Sequence, residues 1–215
     1  MMAVKSSKNV DEAKKVIREA GLYIVKESDY ERILNVAADY YEADALVTWL
    51  CGGKFRREIF MNIVRAAIYS MPDVFIYSDS EEFNALAIWI APGFSGVNIP
   101  LYLKKGGFDL LKMGGMALIF RLLIYNAYSN RLRKRQTGGK DWYLFVYTVR
   151  TIAKGLGYGE KMLKPITEFA WKRGEACYSE VNNDEGIAIM KQAGFQVREQ
   201  GTVPGSNVNH YGVIV

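Results

Sequence analysis

The stretch DWYLFVYTVRTIAKGLGYGEKML, residues 141–163, joins a strand pattern to a helix pattern through a turn rich in glycine. The run from Trp142 to Val149 is aromatic and β-branched, which favours an extended strand. Gly155, Gly157 and Gly159 follow at alternate positions, and the apolar residues after them recur with helical spacing. The sequence therefore predicts a strand, a tight glycine turn and a helix, in that order.

A turn of this kind is a candidate phosphate site. The first amides of a helix have no partner within the helix and carry partial positive charge, so they attract phosphate oxygens. Glycine leaves these amides open because it has no Cβ. Glu160 stands where a dinucleotide fingerprint requires glycine, and Gly159-Glu160-Lys161 does not complete a P-loop. A tight turn with no ligand is the alternative when the glycines are considered alone.

The rest of the chain alternates between helix and strand patterns. Helices are predicted over 11–20, 28–46, 57–71, 100–135, about 160–173 and 184–193. Strands are predicted over 22–28, 74–80, 83–91, 141–149, 176–181, 195–200 and 208–215. This order indicates a mixed α/β sheet in one domain, 1–215. Within it, 1–20 is an N-terminal extension, and 100–135 is a helical insert, interrupted near Gly106-Gly107 and Gly114-Gly115, before the central strand.

Composition limits the classes of function. Cys51 and Cys177 are far apart and in no metal spacing, which is typical of a protein from a reducing cytoplasm. His210 is the single histidine of the chain, so His-rich zinc sites and Ser-His-Asp schemes are disfavoured and no metal is expected. The longest apolar stretch contains Arg121 and Asn126, and no apolar signal core is apparent at the N-terminus. We therefore expect a cytoplasmic protein with no membrane partner.

The net charge of +5 is mildly basic, and it fits an anionic cofactor as well as an ordinary protein surface. The run from Arg131 to Arg135 is interpreted as the solvated end of a helix. A phosphate contact or an anionic partner is the alternative for this run, and nucleic acid is not expected.

The segment 141–197 resembles the core of the GNAT superfamily of N-acetyltransferases, and is most similar to the branch that includes puromycin N-acetyltransferase. The family's turn motif, Gln/Arg-x-x-Gly-x-Gly/Ala, is matched by Lys154, Gly157 and Gly159. A second motif is matched by Glu180 and Asn183, and then by Gly194-Phe195. The stretches DALVTW at 44–49 and WIAPG at 89–93 are similar to the same branch more weakly.

This resemblance implies a mixed, mostly antiparallel sheet flanked by helices, and acetyl-CoA as cosubstrate. The diphosphate would contact the backbone amides of the turn and Lys154. These amides belong to Gly155, Leu156, Gly157, Tyr158, Gly159 and Glu160. The pantetheine arm would pair along Tyr147 to Val149, and the Val149 amide would polarise the thioester carbonyl. Asn183 would bond to the same arm.

Acetyl transfer to an amine requires a base, because an alkylammonium with a pKa near 10.4 is neutral in only about one molecule in 2,500 at pH 7. Glu180 is the first candidate for this general base, and Asp141 and His210 rank lower. Met190 stands where the family commonly has the tyrosine that protonates the leaving thiolate. Tyr147 is a possible replacement acid, and Tyr178 and Tyr211 are further candidates.

The sequence favours an acetyl-CoA-dependent N-acetyltransferase acting on a small-molecule amine. A CoA-binding protein that is catalytically weak or silent, a sensor or an interaction module, is the alternative, and Met190 motivates it. Asp39, Glu42 and Asp44 are interpreted as a solvated helix face, although they could attract a cationic acceptor. The apolar face of the 100–135 insert is expected to cover the sheet. It could instead wall an apolar substrate or form a homodimer contact.

Overall fold

The computed structural model describes residues 8–71, 73–93, 99–153 and 155–215. Its helices are α1 (Lys8–Glu19), α2 (Tyr30–Tyr40), α3 (Ala45–Leu50), α4 (Arg57–Ser70), α5 (Ile99–Tyr102), α6 (Phe108–Thr137), α7 (Tyr158–Lys172) and α8 (Asp184–Gln192). Its strands are β1 (Tyr23–Ile24), β2 (Val74–Ser78), β3 (Ala85–Ile90), β4 (Trp142–Val149), β5 (Cys177–Val181), β6 (Gln196–Thr202) and β7 (Asn209–Ile214). These strands form one sheet in the order β1-β2-β3-β4-β5-β7-β6.

The sheet is antiparallel except where β4 meets β5, which run parallel. This confirms the predicted mixed, mostly antiparallel sheet with helices on both sides. The β2–β3 hairpin follows from the two β-rich runs on either side of a polar turn. The parallel pair requires a long crossover, which the glycine turn and α7 supply.

The strands in the middle of the sheet are buried on both faces. In β3, Ala85, Ala87 and Trp89 point to one side and Leu86 and Ile88 to the other, all with less than 1% exposure. One layer of helices, α1, α7 and α8, packs on the first side. The helices α2, α3, α4 and α6 cover the second side. The two faces therefore have separate hydrophobic cores with the sheet between them.

The insert has the interruptions that its glycines predict. The backbone has positive φ at Gly106 (149°) and at Gly115 (62°), and residues other than glycine rarely adopt such conformations. After the second interruption, α6 continues to Thr137 and buries Leu118 and Leu122 in the second core. Its inner face therefore covers the sheet as expected.

Three local predictions differ from the structure. The helix predicted over 28–46 is divided, because α2 ends at Tyr40 and the Asp44 side chain caps α3 by accepting from the Val47 N–H at 2.9 Å. The strand predicted over 22–28 is limited to two residues. The Arg131–Arg135 run is not wholly solvated, since the Arg133 guanidinium is buried against Asp141.

Arg133 is buried because α6 ends beside the start of β4. Its Nε donates to both carboxylate oxygens of Asp141, at 2.8 and 3.1 Å, and its guanidinium lies over the Tyr143 ring. The Thr137 hydroxyl also donates to Asp141. The carboxylate is fully buried and has this cation as its partner, so the pair joins the insert to the central strand.

None of the helices in the described part of the chain is sufficiently long and apolar to cross a membrane. The same residues contain no group of three or more His, Cys, Asp or Glu side chains arranged to hold a metal ion.

Candidate active site

The two parallel strands separate part of the way along. β4 and β5 pair from Trp142 and Cys177 to Leu144 and Ser179, and the pairing ends there. Phe145 is an extra residue in β4, because the register with β3 passes directly from Leu144 to Val146. Such a bulge bends its strand and increases its twist, which moves the rest of β4 away from β5. The result is a gap that opens into a cavity of about 140 Å³, lined from both strands.

The backbone of the free part of β4 faces this gap. The Arg150 N–H donates to the Asn84 carbonyl at 2.8 Å, so these two residues form a hydrogen-bonded pair of the β3–β4 ladder. Hydrogen-bonding direction alternates along an antiparallel strand, so the N–H and C=O groups of Val149 and Tyr147 point away from β3. They point toward β5, where the Tyr41 hydroxyl donates to the Tyr147 carbonyl at 3.4 Å. The N–H and C=O of Val149 and the N–H of Tyr147 therefore face the side where an extended ligand could pair, whereas the Tyr147 carbonyl already accepts from Tyr41.

The glycine turn lies at the mouth of this gap. Gly155 and Gly157 have φ values of 80° and 76°, and a Cβ on either would project into open space. Helix α7 begins at Tyr158, and within the described residues no side chain caps its first amides. The turn, β4 and α8 enclose a second hollow, called here the turn hollow, whose walls include Tyr147, Val149 and the three glycines. The open amides face a space of about 310 Å³.

The remaining residues of the turn have different surroundings. Gly159 lies against α8, where an added Cβ would be 3.3 Å from Ile189 Cγ2, so glycine here permits close packing of α7 and α8. The Leu156 side chain is exposed, but its N–H donates to the Ala153 carbonyl at 3.4 Å. The Glu160 side chain is also exposed, which leaves the backbone amide of Glu160 as a group that a phosphate could contact. Lys154 lies outside the described residues.

Asn183 lies on the other side of the gap and caps helix α8. Its Oδ1 accepts from the Gly186 N–H at 2.7 Å. The cavity is lined by both Asn183 and the neighbouring Asn182. The oxygen of Asn183 is thus committed to the helix, while its amide NH₂ is the group suited to a ligand carbonyl.

Glu180 is buried in the wall of the cavity with four hydroxyl donors. Its side chain is 4% exposed. Tyr125 and Tyr143 donate to Oε2 at 3.0 and 3.1 Å. Ser129 and Tyr178 donate to Oε1 at 2.5 and 3.3 Å. These bonds fix the orientation of the carboxylate. Tyr125 also lines the cavity, so its hydroxyl contacts both the cavity and the Glu180 carboxylate.

Tyr125 and Ser129 are absent from the sequence predictions. They lie four residues apart, hence on the same face of α6, which also buries Leu118, Leu122 and Leu132. Polar residues at this spacing on a buried face are the signal that could have identified them. No local pattern indicates that their partner is Glu180, 51 residues or more away in the chain.

His210 is close to Glu180, although it lies outside the segment that resembles the family core. Its Nε2 is 3.9 Å from Oε1 of Glu180, and the ring packs edge-on against Tyr125 and Tyr128. The side chain is fully buried, and neither ring nitrogen has a hydrogen-bond partner in the part of the chain described. Burial lowers the pKa of His210, and the carboxylates of Glu180 and Glu199 offset part of that effect. The imidazole is therefore neutral at pH 7.

This lowered pKa makes the fold sensitive to acid. The unfolded chain binds a proton on histidine near pH 6.5, where folded His210 stays neutral, so stability falls as the pH drops through this range. We expect the His210→Phe variant to lose less stability than the wild type between about pH 7.5 and about pH 5.5. Urea unfolding at several pH values measures this difference. Parallel stability curves for the two proteins would contradict it.

The other sequence candidates have distinct positions. The Tyr147 hydroxyl is buried and unpartnered among the described residues, and its ring lines both the cavity and the turn hollow. Met190 is buried in the first core and reaches the cavity wall. The Tyr178 hydroxyl donates a hydrogen bond to Glu180. The Asp141 carboxylate accepts from the Arg133 guanidinium. The structure therefore places Tyr147 and Glu180 on the same cavity.

The acidic residues near α2 have separate environments. Asp39 is exposed and pairs with Arg57, and Glu42 is exposed, as expected of a solvated face. Asp44 is different because it is buried, lines the cavity and accepts from the Asn182 side chain at 3.5 Å. Burial raises the pKa of Asp44. The cavity thus has two carboxylates, Asp44 and Glu180.

The remaining cavity wall has an extended apolar part. It consists of side chains from α3, α4 and β4, namely Leu46, Val47, Leu50, Phe60, Ile63, Val64, Phe145 and Val146. A cavity with apolar walls and a few placed acidic groups suits a small organic cation.

Solved structures of several acetyltransferases have the same fold. One from Corynebacterium glutamicum, described as "histone acetyltransferase HPA2 and related acetyltransferase", has a TM-score of 0.56 at 15% identity over 90% of this chain and 93% of its own. A mosquito protein described as "arylalkylamine N-Acetyltransferase like 5b" has a TM-score of 0.56 at 14% identity, over 90% of this chain and 98% of its own. A Drosophila melanogaster polyamine N-acetyltransferase has a TM-score of 0.53 at 9% identity, again over 90% and 98%.

At sequence level, neither a protein-family model nor a curated protein matches the chain. Identities of 9–15% with the solved structures therefore establish a shared fold, and similarity to the puromycin N-acetyltransferase branch stays a prediction. The sheet order, the gap between β4 and β5 and the glycine turn before α7 together give this chain the fold of the GNAT acetyltransferases.

Proposed function

We propose that the protein is an acetyl-CoA-dependent N-acetyltransferase that acetylates a small amine with an apolar body. The observation that carries this proposal is that three features lie around the cavity and the turn hollow, two spaces that are both lined by Tyr147. The three features are the open amides of the glycine turn, the outward-facing backbone of β4 and the buried carboxylate of Glu180. A ligand-free tight turn would not need the other two.

The residues around the gap fit coenzyme A. The amides of the turn, from Gly155 to Glu160, would hold the diphosphate, because no side chain obstructs the approach to the two glycines of positive φ. The backbone of Tyr147 and Val149 would pair with the pantetheine arm as an additional strand. When bound, acetyl-CoA supplies an acetyl group activated as a thioester. The Val149 N–H is the donor available to a carbonyl oxygen at this place.

The acceptor would enter from the opposite side of the cavity. Asp44 and Glu180 attract an ammonium group, and the apolar residues of α3 and α4 accommodate the remainder of the molecule. The surrounding low dielectric strengthens this attraction relative to water. Amines with several separated charges are disfavoured, because the described wall offers these two carboxylates and otherwise mostly apolar side chains.

Glu180 would remove the proton from the ammonium group through Tyr125. All four of the hydroxyl donors occupy positions around the carboxylate, so a direct contact with the amine would require displacing one of them. The Tyr125 oxygen can accept a hydrogen bond from the amine while its own proton is donated to Glu180. The proton thus passes from nitrogen to phenol oxygen as the phenol proton passes to Oε2.

Tyr147 would stabilise the departing sulfur by donating a hydrogen bond. Burial raises the pKa of this phenol, with Tyr40 contributing, so complete proton transfer to a thiolate of pKa about 8.5 would be uphill. A hydrogen bond to a charged group still contributes about 1.5–3 kcal/mol. This role compensates in part for Met190, which has no hydroxyl.

The Tyr147→Phe variant tests this role. We expect kcat to fall about 10- to 100-fold, the equivalent of one hydrogen bond to a charged atom. The free energy of unfolding should be unchanged or higher, because the lost hydroxyl is buried without a partner in the described structure. Steady-state thiol release and urea unfolding measure the two effects. An unchanged kcat would exclude Tyr147 as the donor.

Two measurements test the function itself. Calorimetric titration with CoA should give a dissociation constant well below millimolar, and thiol release from acetyl-CoA should depend on an added amine. The amine panel contains phenethylamine, spermidine and kanamycin, of which we expect phenethylamine to react fastest. Absence of CoA binding below millimolar concentration would overturn the proposal. Binding with no amine-dependent release would favour the catalytically silent alternative.

The glycine turn gives a separate prediction for CoA affinity. We expect Gly157→Val to weaken CoA binding at least about tenfold, or 1.4 kcal/mol, because valine disfavours φ of 76° and its side chain enters the phosphate approach. Gly174→Val is the matched control. Gly174 follows the other end of α7, has φ of 68° and also faces open space. If both variants weaken CoA binding equally, the turn is not the phosphate site.

A further inference from the structure

The insert has a charge distribution unlike that of the rest of the chain. Residues 99–137, which comprise α5 to α6, contain eight Lys or Arg and a single acidic residue, Asp109. The basic residues are Lys104, Lys105, Lys112, Arg121, Arg131, Arg133, Lys134 and Arg135. This segment therefore has a net charge of +7, whereas the whole chain has +5, so the remaining residues sum to −2. The basic character of the protein is concentrated in one element.

The outer face of α6 is also apolar. Of the eleven large apolar side chains that are exposed among the described residues, seven belong to this segment. They are Leu103, Phe108, Leu111, Met116, Phe120, Leu123 and Ile124. Met116, Phe120 and Leu123 have exposures of 57–59% and follow helical spacing on the side of α6 opposite to the buried Leu118 and Leu122. Concentrated exposure of this kind marks an interaction surface.

The exposed basic residues lie at both ends of the apolar stripe. Lys104 and Lys112 precede it. At the other end, the helical series that contains Phe120 and Ile124 continues through Ala127 to Arg131 and Lys134, in steps of three and four residues. One face of α6 therefore presents apolar side chains from Met116 to Ile124 and cations at its C-terminal end, while Lys104 and Lys112 lie on the segment before the kink at Gly115.

We propose that this outer face docks on an anionic lipid surface, with α6 lying in the plane of the membrane interface. Apolar side chains of such helices enter the boundary between headgroups and acyl chains, and lysine and arginine contact anionic headgroups. Helix α6 lies on the surface in this arrangement and does not cross the bilayer. The expectation of no membrane partner is based on the lack of a membrane-spanning or signal segment in the sequence. The exposed face of α6 can be recognised only once it is known which side of the helix packs against the rest of the chain.

The charge distribution disfavours two other partners. A second copy docked through the same face would bring two sets of exposed cations together, among them Lys104, Arg131 and Lys134, and Asp109 is the only acidic residue of residues 99–137. Nucleic acid would satisfy the cations, but Phe120, Leu123 and their apolar neighbours would lie against phosphates. An anionic bilayer satisfies both parts of the surface at once.

Vesicle sedimentation tests the proposal without acetyl-CoA, so its result is independent of the proposed activity. We expect the full chain to sediment with vesicles of phosphatidylcholine containing phosphatidylglycerol, weakly with phosphatidylcholine alone, and less as salt increases. Lys104→Gln, Lys112→Gln and Lys134→Gln should each weaken binding about fivefold. The Phe120→Ser/Leu123→Ser variant should weaken it at least about tenfold, because two exposed apolar side chains no longer enter the interface.

Matched controls are available on α7. Trp171 is 79% exposed and Lys172 is exposed, and both lie on the opposite layer of the fold. Trp171→Ser and Lys172→Gln should leave vesicle binding unchanged. Circular dichroism of every variant should match the wild type, since all of the substituted side chains are exposed. Loss of binding in the α7 controls would show that the α6 face is not the docking surface.

Three further results would overturn the proposal. The first is no sedimentation with anionic vesicles at low salt. The second is a concentration-dependent dimer that the Phe120→Ser/Leu123→Ser variant dissociates, which would assign the face to a second copy. The third is salt-dependent binding of duplex DNA that exceeds binding to vesicles.

Discussion

The Glu180→Gln variant is expected to transfer acetyl groups about 10²- to 10⁴-fold more slowly than the wild type at pH 7, with unchanged affinity for CoA. Glutamine has nearly the same shape but cannot take up the proton that arrives through Tyr125. The acceptor amine then stays largely protonated, in which form it is not a nucleophile. The loss should shrink as the pH rises, because more of the amine is neutral in solution. Thiol-release kinetics between pH 6 and pH 10 measure this.

The variant has a structural cost that must be separated from its kinetic effect. The amide NH₂ of glutamine donates, so it meets hydroxyl donors where the carboxylate accepted, and leaving these unsatisfied costs about 1–3 kcal/mol. Tyr143→Phe is the matched control, because Tyr143 donates to Oε2 of Glu180, as Tyr125 does, but does not line the cavity. We expect Tyr143→Phe to lose stability with little change in kcat. Equal kcat values for Glu180→Gln and the wild type would exclude Glu180 as the base.

The Arg133→Met variant is expected to lower the free energy of unfolding by about 3–5 kcal/mol. Asp141 is fully buried, and Arg133 donates to both of its oxygens. Methionine fills a similar volume but leaves the carboxylate without its cation in a low-dielectric environment. The loss should be large because this pair joins the end of α6 to the start of β4. Urea or thermal unfolding measures it.

Two further variants make this prediction specific. Arg135, two residues later, pairs with Glu199 at an exposed position, so Arg135→Met should cost at most about 1 kcal/mol. The Arg133→Met/Asp141→Asn double variant removes both charges and should recover much of the loss. If Arg133→Met were no more harmful than Arg135→Met, the buried pair would not be a major contributor to stability.

Much of the local structure is predictable from the sequence. The strand, glycine turn and helix of residues 141–163 have the predicted order, because aromatic strand residues, alternate glycines and helical apolar spacing are all local signals. The kinks at Gly106 and Gly115 follow for the same reason. The divided helix at Asp44 was missed, since an apolar stripe does not show whether an aspartate caps a new helix or lies in the middle of one.

The candidate site is predictable only in part. The turn, Val149 and Glu180 were identified through the resemblance to a family. In the structure Glu180 lines the cavity, Val149 and the glycines line the turn hollow, and Tyr147 lines both spaces. The partners of Glu180 could not be found, because Tyr125 and Ser129 come from an insert and His210 comes from β7. Contacts between residues this far apart depend on how the layers pack.

The sequence by itself determined the order of elements, the glycine turn and the overall basic charge, because these depend on residue type and short-range spacing. Tertiary structure decided which polar groups are buried together and which apolar face stays exposed. Packing α6 against the sheet turns Tyr125 toward Glu180 and leaves Phe120 outside. The amphipathic pattern of one helix cannot make that assignment, since it does not specify which of its sides the rest of the chain covers.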